Sequence, residues 1–234
     1  MDWLSWMLPP GASTFQGEID WLYYLILAIT GMAFVLVEVT LVVFLVRYRA
    51  RPGRTAQYMH GSNRAEVWWT GVTAIVVVLI GFLSAPAWGR IKARDAAPPG
   101  SLPILVHGKQ FEWHITYPGA DGRLNTADDF TVRNQLHVPV NRPVAMTLSA
   151  EEVIHSFFIP AFRFKQDAVP GMHIPAWFQA TKTGEYEIAC AELCGLGHYR
   201  MRARATVHTP EEFDRWMRDP ARRTEAPRGV ASTR

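Results

Sequence analysis

The sequence predicts a two-helix transmembrane hairpin followed by an all-β sandwich and a short C-terminal helix. Three observations carry that fold class: two long apolar runs confined to the first 100 residues, a series of short turn-punctuated β-type stretches after residue 101, and a helix-start signature at Thr209. Bulk composition hides the split, because 234 residues with 49% hydrophobic and 19% charged side chains average to an ordinary soluble chain. Nine Trp, 12 Phe and 7 Tyr exclude a disordered protein. A net charge of +3, with no basic helix and no aromatic-basic stripe, gives no footprint for nucleic acid.

From Ile19 to Val46 the chain is apolar except for Asp20 at its edge and Glu38 within, and the run from Val67 to Trp88 carries no charge. About 20 apolar residues span a bilayer, so both runs qualify. The hairpin therefore occupies residues 19–88, with helices over 19–46 and 67–88; Pro86 and Trp88 read as a helix-ending proline and an interfacial aromatic. Arg47, Arg49, Arg51, Arg54 and Arg64 lie between the spans, against Arg90, Lys92 and Arg94 after them. The excess puts the connecting loop in the cytoplasm, and both termini and the polar domain on the periplasmic side of a bacterial inner membrane. Residues 1–18 form an outer N-terminal segment without Lys or Arg, unlike the start of a secretory signal, and Trp3 and Trp6 read either as an interfacial anchor or as part of a ragged end. Glu38 lies at membrane depth, where a carboxylate either meets a neighbouring subunit or stays protonated without a role. By residues alone, Glu66 reads as a solvated carboxylate at the cytoplasmic entrance of the second span.

Pro98, Pro99, Gly100 and Pro103 mark a linker over 89–100, and the sandwich domain covers 101–208. Its expected strands are Ile104 to Val106, Glu112 to Tyr117, Phe130 to Val132, Val144 to Ser149, Ala176 to Ala180, Glu185 to Ala189 and Ala203 to Val207. The acidic loop 118–129 reads as Asx turns, with calcium chelation the weaker alternative because only a fragment of a calcium-loop spacing is present. Thr209-Pro210-Glu211-Glu212 supplies an N-cap, a first-turn proline and a capping-box glutamate, which starts a helix over 209–218. Residues 219–234 read as a mobile tail.

The chemistry concentrates in Cys190-Ala191-Glu192-Leu193-Cys194-Gly195-Leu196-Gly197-His198-Tyr199-Arg200-Met201. The spacings of four, four and three would share a helix face, but Gly195 and Gly197 break helices, so a loop folded around something is the better reading. Soft sulfur beside imidazole selects copper, and a thioether is a recurrent weak axial ligand. Two thiolates can each bridge two metal ions. The remaining donor should be a histidine on another loop, and His155, walled by aromatics, has the best setting. A Cys190–Cys194 disulfide would leave His198 and Met201 idle. A zinc site of Cys190, Cys194, His198 and His155 would leave Met201 idle and lacks the usual paired spacings. A thiol-disulfide copper chaperone would need a thioredoxin-like pattern that is absent.

His155-Ser156-Phe157, the run from Pro160 through Lys165-Gln166-Asp167-Ala168-Val169-Pro170-Gly171, and Cys190-x-Glu192-x-Cys194-x-x-x-His198-x-x-Met201 resemble subunit II of the cytochrome c oxidase branch of the haem-copper oxidases. The resemblance covers about residues 15 to 218. It implies a cupredoxin-like sandwich holding a mixed-valence binuclear copper centre, CuA. On that likeness Cys190 and Cys194 bridge, His155 and His198 each terminate one copper, Met201 is an axial ligand and the Glu192 carbonyl is the other. The Glu192 carboxylate would also reach a magnesium ion at the interface with the catalytic subunit. The run Glu66-Val67-Trp68-Trp69-Thr70 resembles the family's second-helix start, which changes the reading of Glu66 to the entrance of a proton path. The implied role is electron entry to an enzyme that reduces oxygen to water and translocates protons, in complex with subunit I and subunit III. A copper-free quinol-oxidase scaffold subunit is the alternative, against which the intact ligand set argues. The copper domain of a nitrous oxide reductase would need a propeller domain and no hairpin.

One departure bears on the donor. In Gly108-Lys109-Gln110-Phe111-Glu112-Trp113, Phe111 stands where the family commonly has the tryptophan through which electrons enter, and Trp113 matches the second aromatic. Residues 101–208 carry 10 basic and 10 acidic side chains, so the domain is no acidic landing pad for a lysine-rich cytochrome c. The expected donor is a cytochrome c-type protein that is tethered or held in an associated complex.

Overall fold

The computed structural model describes residues 7–56, 58–93 and 95–219. Trp3, Trp6, Arg94 and the tail from residue 220 lie outside the described residues. The chain divides into two units, Glu18–Trp88 and the remainder.

In the first unit, α1 spans Gln16–Arg47 and α2 spans Asn63–Lys92. At 1.5 Å per residue these reach about 48 and 45 Å, well past a hydrocarbon core of about 30 Å. No residue of α1 is buried although nearly all are apolar, the pattern of a helix whose surroundings are lipid or partner helices rather than its own core. Hydroxyls inside these helices turn back on the backbone: Thr30 donates to Ile26 O at 2.8 Å, Thr40 to Leu36 O at 2.7 Å and Thr73 to Trp69 O at 2.8 Å. Glu18 and Glu66 lie in first turns and Arg47, Arg90 and Lys92 in last turns, each complementing the helix dipole. Pro86 does not end α2, which continues to Lys92. The missing proline N–H costs one helical bond, and the helix continues through the six residues that follow.

The second unit is a sandwich of two five-stranded sheets. Its strands are β1 (Leu102–Lys109), β2 (Glu112–Tyr117), β3 (Phe130–Arg133), β4 (Gln135–Pro139), β5 (Pro143–Ala150), β6 (His155–Ile159), β7 (Phe164–Ala168), β8 (Ile174–Gln179), β9 (Gly184–Cys190) and β10 (Arg202–His208). One sheet runs β3-β2-β1-β5-β8 and the other β4-β10-β9-β6-β7. The pairs β1–β5 and β4–β10 are parallel and the rest antiparallel. Alternation holds in β1, β2 and β5, whose inward rows put Ile104, Val106, Trp113, Ile115, Tyr117 and Leu148 in a core shared with Leu136, Phe157 and Ile188.

Ten strands form where seven were expected, the additions being β4, β6 and β7. Each hides its period: four successive residues of β4 are buried, β6 opens on His155-Ser156, and β7 is an edge strand that carries Lys165, Gln166 and Asp167. The short helix α3 (Pro210–Arg218) has the predicted capping box, with Thr209 Oγ1 accepting from Glu212 N and Glu212 Oε2 accepting from Thr209 N. It lays Trp216 against Tyr117, Phe130 and His137.

The segment before α1 belongs to this unit. Ala12 N donates to Ala161 O, Thr14 N to Gln179 O, Thr181 N to Ala12 O, and Ser13 Oγ to Phe162 O, while Phe15 packs on Trp177. At the other end of the hairpin, Lys92 Nζ donates to Lys165 O at 2.7 Å and Trp177 Nε1 to Arg90 O at 3.1 Å. The residues just before α1 and the last turn of α2 thus belong to the sandwich unit. The acidic loop uses its carboxylates on its own backbone, Asp128 accepting from Ala120 N and Asp129 from Asn125 N and Thr126 N, which is the Asx-turn reading.

Candidate metal centre

Strand pairing brings the two halves of the site together. Phe157 on β6 is opposite Cys190 at the end of β9, and two residues back on the same face of β6 stands His155. His155 thus opens a strand rather than sitting on a loop after one. Past Cys190 the chain turns out and back: Cys190 N donates to Met201 O at 3.0 Å, Ala191 N to Ser156 O at 3.0 Å, and a 3₁₀ turn over His198–Arg200 returns it to β10. This is the loop that the glycines predicted.

Gly195 and Gly197 have different reasons to be glycine. Gly195 has φ +124°, and a Cβ there would stand 2.8 Å from Gln110 Nε2; at Gly197 a Cβ would come within 2.3 Å of the Phe111 ring. The Phe111 ring therefore lies on the back of the loop. Trp113, the other predicted electron-entry residue, is fully buried, edge-on to His155 at 5.8 Å and to Phe157 at 4.9 Å. Of the two, Phe111 is the one with exposed surface.

Six donor atoms converge. Cys190 Sγ lies 3.9 Å from His155 Nδ1, 3.9 Å from Cys194 Sγ and 3.3 Å from Glu192 O. Cys194 Sγ lies 3.5 Å from His198 Nδ1 and 3.7 Å from Met201 Sδ. His155, Cys190, Cys194 and Met201 are buried and His198 is half-buried, while Glu192 and its carboxylate are exposed. Both cysteines are free. Their sulfurs are much farther apart than the ~2.05 Å of a disulfide, yet within the ~4.6 Å that two metal–sulfur bonds of about 2.3 Å can span.

The donor chemistry fits a metal pair. A single tetrahedral ion takes four donors, whereas two four-coordinate ions sharing two sulfurs take two bridges and four terminal donors, which is the number gathered here. Burial pushes the Cys194 thiol up to about 12, with the neighbouring Cys190 adding to it, so that thiol stays protonated until a cation replaces the proton. Burial also lowers the His155 pKa and keeps its imidazole neutral, the form that ligates. The sequence reading missed the contributions of Gly108 and Gln110: Gln110 Nε2 donates to Cys194 O at 2.5 Å, and Gly108 faces His155. A signal was available for Gly108, a glycine in the inward row of a strand otherwise filled by Leu102, Ile104 and Val106.

Glu66 lies in the first turn of α2, where its N donates to Ser62 O. Glu38 lies within α1 and is exposed.

Comparison with known proteins finds relatives of both the helical and the sandwich part of the chain. The family model for cytochrome C oxidase subunit II, transmembrane domain, matches residues 1–86, and that for the periplasmic domain matches residues 118–206. Cytochrome c oxidase subunit 2 of Thermostichus vulcanus is 32% identical, over 91% of this chain and 78% of its own length. Alternative cytochrome c oxidase subunit 2 of Bradyrhizobium diazoefficiens is 30% identical, over 91% and 83%. The solved periplasmic domain of subunit II of a Bradyrhizobium japonicum cytochrome oxidase is 33% identical with a TM-score of 0.46, covering 52% of this chain and 94% of that one. With both halves of the family matched and the hairpin, sandwich and donor cluster in place, the chain belongs to the cytochrome c oxidase subunit II family.

Proposed function

We propose that the chain is the electron-entry subunit of a respiratory haem-copper oxidase and that Cys190, Cys194, His155, His198, Met201 and the Glu192 carbonyl hold a binuclear copper centre. The observation that carries the reading is the convergence of six donors, two of them free buried thiols 3.9 Å apart. When bound, the copper pair would supply a one-electron relay between a cytochrome c-type donor and haem in the catalytic subunit, where oxygen is reduced to water. The chain's own residues hold the donors still and dry: β6 and β9 fix His155 against Cys190, and Trp113, Phe157 and Met201 fill the inner side. A site that barely rearranges between redox states transfers electrons with little reorganisation. Phe111, on the back of the loop, is the entry point for electrons, and Trp113 is packed against His155.

The Glu192 carboxylate, on an exposed residue between Cys190 and Cys194, would hold magnesium at the interface with subunit I. Glu66, in the first turn of α2 on the loop side, serves the mouth of a proton path that supports translocation. Arg47, Arg49, Arg51, Arg54 and Arg64 favour the cytoplasm for the connection between α1 and α2, which supports both ends of the hairpin on the periplasmic side of the inner membrane. Subunits I and III are the membrane partners. The neutral domain supports a tethered or complexed cytochrome donor over a freely diffusing basic one.

The test is donor oxidation by the assembled complex carrying Cys194→Ser. The expected result is loss of turnover with the cytochrome donor, while a small reductant still reduces the catalytic haem; unchanged donor oxidation would overturn the assignment. Steep loss of turnover with a basic soluble cytochrome c as salt rises, together with inhibition on neutralising Asp121, Asp128 and Asp129, would overturn the donor reading.

A further inference from the structure

Along β1 the inward row is Leu102, Ile104, Val106 and then Gly108. Alternation calls for a large apolar side chain at the fourth position. The backbone does not require glycine there, because Gly108 sits in regular pairing with Trp113 on one side and Ala150 on the other and has no positive φ. The reason is space. A Cβ on Gly108 would stand 2.9 Å from Cδ2 and 3.2 Å from Cγ of His155, and 3.2 Å from the Trp113 ring. His155 is fully buried and cannot swing away as a surface side chain would. Two residues further on, Gln110 reaches the opposite loop, where its Nε2 donates to Cys194 O. Phe111 then lies on Gly195 and Gly197. The β1–β2 turn thus touches both segments that carry donors.

We infer that this turn sets the relative position of the two donor segments, Gly108 fixing the depth of the His155 imidazole and Gln110 fixing the carbonyl that follows the Cys194 thiol. Both are positioning residues, and the inference rests on the copper reading above. An extra methyl at Gly108 pushes the His155 ring outward, toward the sulfurs. Loss of the Gln110 donor frees the Cys194 carbonyl and lets the loop tip relax away from Phe111.

The experiment uses the full chain in detergent, loaded with copper, as wild type, Gly108→Ala, Gln110→Leu and Lys109→Ala. Copper per chain, the electron paramagnetic resonance pattern and the rate of copper loss to a chelator are measured, with urea unfolding of the metal-free chains alongside. Expected are a changed copper hyperfine pattern in Gly108→Ala and release that is about 10- to 100-fold faster in both Gly108→Ala and Gln110→Leu, the range for loss of an outer-layer partner. Lys109→Ala, which loses a surface pair with Glu151, should match wild type. Wild-type patterns and release in both test variants would overturn the inference, as would faster release that merely tracks a loss of metal-free stability. If Gly108→Ala does not fold, Gln110→Leu decides alone. A wild-type chain that binds no copper pair removes the copper reading itself, and this inference with it; a normal wild type with unaffected variants removes only the inference.

Discussion

Acid should weaken the sandwich well before its carboxylates titrate, and the cause is one buried imidazole. His137 lies under Trp216, with ring centroids 4.3 Å apart, is hydrogen-bonded through Nδ1 to His208 Nε2 at 2.8 Å, and meets Gln135 Oε1 at 3.2 Å. Burial, and secondarily the charge of His208, lower its pKa from 6.5 to about 3. The folded chain therefore holds His137 neutral while an unfolded chain would protonate it below pH 6.5. Stability is complete above that pH and falls by about 1.36 kcal/mol per unit below it, until about pH 3. Between pH 6.5 and 4.5 the loss is about 2.7 kcal/mol, a large share of the 5–15 kcal/mol typical of a domain. His208, also lowered by burial, acts in the same direction. Glu151, Asp167 and Glu212 have lowered pKa values through hydrogen bonds to Lys109, Ser156 and Thr209, and their contributions are lost only as pH falls below about 4.5. The upper window thus belongs to imidazoles. The assay is urea-dependent protease resistance of the sandwich in the full metal-free chain, compared with His137→Gln. Wild type should lose stability from pH 6.5 to 4.5, and the variant should lose about 2 to 3 kcal/mol less across that window. A wild type that is flat there, or a variant with the same slope, refutes the reasoning.

Four further outcomes are expected. Met201→Leu, a volume-conserving change at a buried position, should cost less than about 1.5 kcal/mol of stability and keep copper while shifting its potential, read by redox titration. Gly197→Ala places a methyl inside the Phe111 ring, so the ring must leave the loop; donor oxidation should slow while copper content is kept. Thr209→Ala removes the capping box of α3 and should lower sandwich stability by about 1 kcal/mol in urea unfolding, without touching copper. Removing copper with a chelator should lower the unfolding midpoint of the sandwich, because the donors converge only in the folded state.

The parts of this protein legible in its sequence are those with a strong local period or a dense motif. The two apolar runs pointed to α1 and α2, which extend a few residues past them, and the Thr209 capping box marked the start of α3. The loop from Cys190 to Met201 was legible because four soft donors crowd into 12 positions with two glycines between them. Strands β4, β6 and β7 were not, since burial on both faces or a position at the edge erases alternation, and β7 reads as polar chain until its pairing with β6 is known. Pro86 misled in the other direction, because a proline at the end of a long helix costs one hydrogen bond, not the helix. The most distant relation was the least visible. Nothing local to Gly108 or Gln110 names His155 or Cys194, and only the pairing of β1 with β2 and β5, with the second sheet packed over them, brings those groups within reach.

The central claim is that the six donors hold two copper ions bridged by two thiolates. Metal analysis combined with electron paramagnetic resonance of the purified full chain tests it most directly. The expected result is two copper ions per chain and a multi-line signal from one unpaired electron shared between them, lost in Cys194→Ser. Zinc, a single copper with a four-line signal, or no metal with a Cys190–Cys194 disulfide would contradict it.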